Sequence, residues 1–300
     1  MLTLSQTMQT AMAAGNPQRV LLEFYDPDTH QVSETFSNEE IAITRGVEWS
    51  AAFNGEEELT MGLCPSAQIS FTLLNDNRTL NGFEFGEFSA WIGYRLAPGT
   101  TPAGTKYETF EGDGLYEFAP LGVFIAERPD IVAKDMIEVR ASDRMTLFDV
   151  EMPSKTDLSL NPTSSNPVRI LDLLQAMCGY VGVSLANTQA GGWFMNYDLT
   201  FTSWPTKYFS GKTMREVLKY IAEAAGSIAR FNRDGDLEIC WFTTVNVTYD
   251  EGDYKEFAQT WYETATIDGL KVRNADETSE TSYGTNPTNY YVIAGNPFLK

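Results

Sequence analysis

Residues 67–74 show the pattern that dominates the first half of the chain, an alternation of apolar and polar positions. Ile69, Phe71 and Leu73 are apolar, and a period of two places their side chains on one face of a β-strand. Short runs rich in β-branched and aromatic residues, separated by turn residues, predict further strands. They are residues 19–25, 41–44, 47–53, 84–92, 122–127 and 136–141. Together these strands predict an antiparallel sandwich or barrel over residues 18–141.

Two local signals complete the predicted barrel. The pair Asp113-Gly114 lies between two aromatic-rich arms and predicts a hairpin over residues 107–118. Helix-forming residues over 5–14 predict a short lead-in helix. Ser142 is expected to cap the helical turn that follows the last strand.

The apolar period changes to that of a helix after a connector rich in Pro, Ser and Asn at residues 153–167. Asn166 as the N-cap and Pro167 as the first helical residue predict a helix that runs to residue 180. Thr213 and Glu216 match a capping box and predict a second helix.

The rest of the chain is predicted to return to strands. A hairpin over residues 228–242, with its turn at 233–235, follows the second helix, and further strands are predicted at 266–272 and 290–293. The predicted fold class is α+β, mainly β. Its predicted domains are an N-terminal β-barrel or sandwich (1–152), a small α+β domain (153–248) and the start of a second β-barrel section (249–300).

The charge balance limits the classes of partner. The chain has 41 acidic and 21 basic residues, a formal net charge of −20, and no segment gathers Lys and Arg into a stripe that would grip phosphates. Tight nucleic-acid binding is therefore not expected. An acidic surface suits a halotolerant enzyme, a secreted adhesin or the wall of a channel that DNA passes without sticking, and charge alone does not choose among them.

Cysteine usage and the N-terminus indicate where the chain folds. Cys64, Cys178 and Cys240 are odd in number and far apart, which favours buried thiols in a reducing compartment over a disulfide framework or a metal site. The N-terminus lacks the basic and apolar regions of a signal peptide, and no apolar run has transmembrane length. The chain is expected to fold in a bacterial-type cytoplasm and to have no membrane span.

Local motifs for catalysis or ligand binding have simpler structural explanations. His30 is the only histidine and lies in a predicted turn without a nearby nucleophile. Residues 211–213 are similar to the end of a phosphate loop, but Thr206 replaces the glycine that such a loop needs. Residues 232–236 are similar to a calcium loop, but Trp241 occupies its last ligand position, so a hairpin turn fits better.

Acidic and aromatic residues leave two further possibilities open. A glycosidase pair of carboxylates is compatible with the composition, although residues 56–58 and 250–253 are expected to be solvated loops. Tryptophans are expected mostly to fill the core, and the alternative is a sugar-binding platform. The tryptophans concerned are Trp91, Trp193, Trp204, Trp241 and Trp261. We predict no catalytic, cofactor-binding or metal-binding residue and no cofactor.

Three stretches resemble the hub and tail-tip structural proteins of bacteriophage tails. Residues 121–127 with 137–145 resemble the two strands and short helix that close the family's first barrel. Residues 213–237 are similar to its helix and hairpin, and residues 291–298 to the strand that starts its later barrel section. The matching residues within 213–237 are Arg215, Tyr220, Ile221, Gly226, Asp234 and Gly235.

The resemblance implies a barrel related to tail-tube subunits, an inserted α+β domain and a second barrel, with three copies forming a ring. This chain departs from that plan because its second barrel section is expected to be incomplete after Lys300. Two barrels in each of three chains would present a pseudo-sixfold face to a sixfold tube.

The predicted function is therefore a structural, non-enzymatic hub or adaptor in the virion. Its implied partners are two further copies in a homotrimer, the tail tube or distal tail protein, and downstream tail-tip or fibre proteins, and DNA passes through without specific binding. The alternatives are a cell-wall-degrading enzyme and a carbohydrate-binding tail-tip protein.

Overall fold

The computed structural model describes residues 4–42, 45–50, 61–186, 194–240, 269–273, 279–285 and 287–299. The helices are α1 (Gln6–Ala13), α2 (Ile170–Val181), α3 (Thr206–Phe209) and α4 (Met214–Ala224), with two 3-10 helices, η1 (Asp76–Arg78) and η2 (Arg144–Asp149). The strands are β1 (Gln18–Tyr25), β2 (Val32–Ser37), β3 (Val47–Ser50), β4 (Gln68–Leu74), β5 (Glu87–Arg95), β6 (Lys106–Phe110), β7 (Gly114–Ala126), β8 (Asp130–Ala133), β9 (Met136–Asp143), β10 (Val168–Arg169), β11 (Thr200–Phe201), β12 (Ile228–Phe231), β13 (Leu237–Cys240), β14 (Gly269–Arg273), β15 (Glu280–Tyr283) and β16 (Tyr290–Ile293).

The first nine strands form one antiparallel sheet whose main path runs β2-β1-β5-β7-β9-β4-β3, with β6 on β7 and β8 on β9. The two ends of this path meet. The chain leaving β2 returns to β4, where the Ala42 N–H donates to the Thr72 carbonyl at 2.8 Å and the Leu74 N–H donates to the Glu40 carbonyl at 2.7 Å. These bonds place the chain that follows β2 beside β4, so the sheet curves round in the manner of a barrel. The predicted mainly β, antiparallel fold is confirmed.

The barrel interior is filled by the alternating apolar positions of its strands. Phe24, fully buried, lies at the centre of an aromatic cluster, stacked on Phe88 with a centroid separation of 4.6 Å. Three more rings meet it edge to face, an arrangement that the ring quadrupoles favour. They are Phe36, Phe83 and Phe85. Ile69, Phe71 and Leu73 point into the same core, as the period of two predicted.

Helix α1 is held on the barrel by a buried carboxylate. Glu117 is only 1% exposed, and it accepts hydrogen bonds from the hydroxyl groups of Ser5 and Thr7 and from the Ala103 N–H. Burial favours the neutral acid, but these hydrogen bonds outweigh it and lower the pKa of Glu117. Ser5 also caps α1 by accepting from the Met8 N–H, so the predicted lead-in helix is confirmed.

A second core joins α2, α4 and the β12-β13 hairpin with η2, and includes Cys64 and Phe298 from distant parts of the chain. The predicted capping box opens α4: the Glu216 N–H donates to Thr213 Oγ1 at 3.2 Å, and the Thr213 N–H donates to Glu216 Oε2 at 2.8 Å. Gly226, with φ of 60°, follows the end of α4, and a left-handed residue there is easiest for glycine.

The barrel and the α+β domain are fixed to each other by polar contacts. Arg144 forms a two-pronged ion pair with Glu87, at 2.6 and 2.8 Å, and its remaining Nη1 donates to the Gly235 carbonyl at 2.9 Å. A Cβ atom added to Gly235 would lie 2.9 Å from Val123 Cγ2. The hairpin turn therefore lies directly against β7.

Three boundary predictions were wrong by a few residues. The cap of η2 is Asp143 and not Ser142, because the Asp143 carboxylate accepts from the Met145 N–H. Helix α2 is capped at Arg169 and not at Asn166, and it begins at Ile170, since residues 168–169 pair with β11 before the helix starts.

Other predicted elements differ in extent. The hairpin at Asp113-Gly114 is confirmed, but its turn is residues 111–113, and Gly114 already pairs with Phe110. The predicted strand 122–127 is the second half of the 13-residue β7. Strands β2 and β8 were not predicted. Parts of the predicted segments 41–44, 47–53, 228–242 and 266–272 lie outside the described residues.

The last described strands form a separate sheet, β15-β14-β16, in which β14 and β16 run parallel. The predicted strand 290–293 is confirmed as β16. After it, residues 294–299, which we call the strap, return to the α+β domain, where Phe298 packs against Phe201 and Phe209. The assignment of this sheet to a second barrel and the predicted domain boundaries stay predictions.

Candidate interaction surface

Strands β8, β9, β4 and β3 lie side by side and form what we call the four-strand sheet. Two rows of residues run across it. Glu138 lies opposite Asp130 and Thr72, and Ser70 lies opposite Arg140 and Glu48. Because residues directly opposite one another share a face of the sheet, both rows lie on one side. The other side carries Ile69, Phe71, Ile137 and Val139 into the barrel core.

The outer face of the four-strand sheet is polar. Two adjoining grooves, of about 400 and 350 Å³, cross it and share Glu48 and Ser70. Their floor is built from short or uncharged side chains of β4, and longer charged side chains of β3 and β9 form the walls. The outer-face residues are Glu48, Ser50, Gln68, Ser70, Thr72, Glu138, Arg140 and Ser142. The surface is broad, shallow and hydrophilic.

The charges on this face compensate one another. Glu138 Oε1 accepts from Arg140 Nε and Nη2 at 2.9 and 2.7 Å, and Glu138 Oε2 lies 3.4 Å from Arg45 Nη1. The carboxylate raises the pKa of Arg140, with smaller contributions from Asp130 and Glu127. Both arginines of the face are thus engaged by a carboxylate, which leaves them less available to a phosphate.

The two side edges of the four-strand sheet are open within the described part of the chain. No described residue pairs with the outer side of β8 or of β3. Each edge carries an exposed apolar side chain on the core-facing side: Ile131 on β8 is 71% exposed, and Trp49 on β3 is 36% exposed, with the Arg233 guanidinium 5.2 Å from its ring. An open edge with exposed apolar residues is a template for pairing with another strand. The four-strand sheet therefore has an unpaired strand edge on each of its two sides.

Buried carboxylates elsewhere have structural partners. Asp143 is 5% exposed, and burial raises its pKa although Ser66 and the Ala67 N–H donate to it. Glu223 is half-buried against the strap, and burial raises its pKa as well, opposed by a hydrogen bond from Asn296. Both groups are held by hydrogen-bond donors within the fold.

The residues of the local motifs lie in ordinary structural positions. His30 lies in an exposed turn with φ of 54°. Lys212 pairs with Glu216 at 2.6 Å, and Asn232 Oδ1 accepts the N–H groups of Asp234 and Asp236 in a hairpin turn. No group of three or more His, Cys, Asp or Glu in the described segments is arranged to hold a metal ion.

Aromatic and acidic candidates fall into two groups. Trp91 packs beside the small outer cluster of Leu21, Tyr116 and Phe118, and Trp204 packs against the α+β core. The predicted loops at 56–58 and 250–253, and Trp193, Trp241 and Trp261, lie outside the described residues. Cys64 and Cys178 are buried and free, and Cys240 is free and partly buried. None of the described helices is both long and apolar enough to cross a bilayer.

Sequence reasoning did not single out Trp49, Ile131 or the Arg45–Glu138–Arg140 group. A signal was present for part of it. In residues 136–141, Glu138 and Arg140 alternate with Ile137 and Val139, which places the charged pair on the solvent side of a strand. The segment 130–133 is short but contains two β-branched residues, a composition that is typical of an edge strand.

The fold is similar to those of bacteriophage and prophage tail proteins of known structure. No protein-family model and no curated protein matches the sequence. Against the 43 kDa tail protein of prophage MuSo2 from Shewanella oneidensis, the identity is 13% and the TM-score 0.38, with 83% of this chain and 72% of that chain covered.

Two further tail proteins show the same level of similarity. A tail protein from Neisseria meningitidis MC58 has 12% identity and a TM-score of 0.41, over 79% of this chain and 64% of that one, so the match spans less than two thirds of that protein. The prophage tail protein gp18 from Listeria monocytogenes EGD-e has 10% identity and a TM-score of 0.43, over 92% of this chain and 72% of that one.

Proposed function

We propose that this chain is a structural, non-enzymatic subunit of a phage tail tip. Copies of it form a ring that joins the tail tube to the distal receptor-binding or wall-penetrating apparatus, and DNA passes through the ring. The single observation that carries the proposal is the four-strand sheet, which has a polar outer face between two open edges that bear exposed apolar side chains.

The open edges supply the means of assembly. If β3 of one copy pairs with β8 of the next, the backbone N–H and C=O groups of both edges gain partners, and Trp49 and Ile131 lose their contact with water. Such a contact is heterologous, because two different surfaces meet, and it forms a closed ring when the rotation between neighbouring copies divides a full turn evenly. The number of copies proposed is three.

The outer face of the four-strand sheet then becomes the wall of the bore. Its serine, threonine and glutamine floor is hydrophilic, and its two arginines are engaged by Glu138. With a formal net charge of −20 on each chain, a ring of these subunits repels phosphate groups instead of binding them. Genome DNA therefore meets a surface that offers few groups able to bind its phosphates.

The polar junction between the barrel and the α+β domain also supports a role in assembly. The Arg144–Glu87 pair and the Gly235 contact fix the domain on the barrel, so each copy in a ring presents it at the same position. A domain held in this way is a suitable platform for downstream tail-tip or fibre proteins. The proposed partners are therefore the tail tube or distal tail protein on one side and these proteins on the other.

Replacing Ile131 with lysine is expected to prevent ring formation without unfolding the subunit. The side chain is 71% exposed in the free subunit, so lysine is tolerated there, but in the ring it would bury a charge beside a strand edge. We expect the variant to need at least a tenfold higher concentration to assemble, the equivalent of about 1.4 kcal/mol. Light scattering over a concentration series measures this.

The matched control is Tyr107→Lys, which introduces the same charge at a 60% exposed position on β6, outside the four-strand sheet. It should assemble like the unaltered chain. Assembly of the Ile131 variant at the unaltered concentration would refute edge pairing. Turnover of peptidoglycan by the purified chain, abolished by substitution of one carboxylate, would instead favour a cell-wall-degrading enzyme.

A further inference from the structure

The strap closes over the C-terminal end of α4. Asn296, fully buried, donates from Nδ2 to both the Tyr220 carbonyl and Glu223 Oε2, each at 2.8 Å. Its Oδ1 accepts from the Phe298 N–H at 3.0 Å. Phe298 fills a gap between Phe201 and Phe209 in the α+β core. One side chain thus holds the helix end and the turn of the strap together.

The opposite side of Glu223 is covered by a second distant segment. The Gly62 N–H donates to the Ser227 carbonyl, and a Cβ atom added to Gly62 would lie 3.1 Å from the Cβ of Glu223. The half-buried Glu223 side chain therefore lies between residues 61–64 and the strap. Its one described hydrogen-bond donor is the neutral amide of Asn296, and the described part of the chain gives it no ion pair.

We propose that the strap is a proton-dependent clasp, which grips α4 most tightly when Glu223 is neutral and loosens when Glu223 ionises. Opening the clasp exposes the carboxylate to water, which stabilises its charged form. Because β16 leads directly into the strap, the clasp controls how firmly the β14-β15-β16 sheet is attached to the α+β domain.

Among the described residues, the groups that face Glu223 do not supply a competing proton site in the acid range. The strap, residues 294–299, contains no ionisable side chain. On β16, the pKa of Tyr291 is raised by burial and by the charge of Glu223. On α4, Tyr220 contributes its carbonyl and Lys219 is exposed. On the 61–64 segment, burial raises the pKa of Cys64 to about 12.

The direction of the pH effect follows from linkage. Burial raises the pKa of Glu223 in the closed form above that of a solvated glutamate, about 4.3. The closed clasp therefore binds a proton more tightly than the open one. Its stability is greatest below the pKa of the open form and falls as the pH rises through the pKa of the closed form. Acidification tightens the clasp.

Hydrogen exchange of the Phe298 and Leu299 amides, corrected for the intrinsic effect of pH, tests the proposal in the full chain. We expect protection to be several-fold higher at acidic pH than at neutral pH. Glu223→Gln keeps a neutral side chain at every pH, and it should abolish this dependence while retaining strong protection. Amides of the barrel strand β1 serve as the internal reference for global unfolding.

The matched control is Glu108→Gln, which removes one carboxylate from an exposed position on β6. It should leave the pH dependence of the strap unchanged. Protection of the strap that does not vary with pH in the unaltered chain, or that still varies in Glu223→Gln, would overturn the proposal. Neither outcome depends on whether the chain assembles into a ring, so the clasp is tested separately from the proposed function.

Discussion

Replacing Phe24 with alanine is expected to lower the free energy of unfolding by about 3–5 kcal/mol. Phe24 is 1% exposed and touches the rings of Phe36, Phe83, Phe85 and Phe88. Its removal leaves a cavity that the four neighbouring rings, two on β2 and β5 and two in the segment before β5, can fill only in part. Urea unfolding followed by circular dichroism measures the change.

The control for Phe24 is Tyr107→Ala, another aromatic truncation within the same barrel. Tyr107 is 60% exposed, and its loss should change the free energy of unfolding by no more than about 0.5 kcal/mol. Equal effects of the two substitutions would mean that the aromatic cluster around Phe24 is not the centre of the barrel core.

Replacing Asn296 with aspartate is expected to destabilise the chain by about 3 kcal/mol at neutral pH, although the two side chains have the same shape. The amide nitrogen that donates to Glu223 and to the Tyr220 carbonyl becomes an oxygen that faces two acceptors. Two carboxylates then share one enclosed site, which raises their pKa values. As the pH falls and the pair takes up a proton, most of the lost stability should return.

Two further variants isolate the cause. Asn161→Asp adds the same charge at an exposed position and should be nearly neutral at every pH. The double variant Glu223→Gln with Asn296→Asp exchanges the amide and the carboxylate and restores a donor between the two side chains, so it should recover part of the stability, while the oxygen at position 296 still faces the Tyr220 carbonyl. A double variant as unstable as Asn296→Asp alone would show that this contact does not hold the strap.

The strands of the barrel could be predicted from the sequence because the pattern that marks them lies within each strand. Ile69, Phe71 and Leu73 alternate with polar residues, and every strand that buries one face must show the same period. The capping box at Thr213 and Glu216 could also be predicted. The two residues that form hydrogen bonds with the free N–H groups at the start of α4 are only three positions apart in the chain.

The boundaries that failed depend on tertiary pairing. Asn166 and Pro167 form a good helix start in isolation, but Val168 and Arg169 pair with β11, and this moves the beginning of α2 to Ile170. Ser142 is a good cap by type, but β9 continues through it to Asp143, whose carboxylate accepts from the Met145 N–H and takes that role. In both places a strand partner far along the chain decides the outcome.

The candidate surface was only partly predictable for the same reason. The polar face of β9 can be read from the alternation around Glu138 and Arg140. The two open edges cannot be predicted from the alternation of residues, because whether β3 and β8 have neighbours depends on the order of strands in the folded sheet. The strap is similarly non-local: Asn296 is 73 residues from Glu223, and no periodicity connects them.

Cross-linking between engineered cysteines at the two sheet edges tests the central claim most directly. In the double variant Trp49→Cys with Ile131→Cys, a short bis-maleimide should join β3 of one copy to β8 of the next. We predict covalent species of two and three chains, with accumulation of the three-chain species because a ring leaves no free edge. Each single variant should yield at most a two-chain species. Absence of cross-links in the double variant, or a ladder that extends beyond three chains, would contradict a closed ring built by edge pairing.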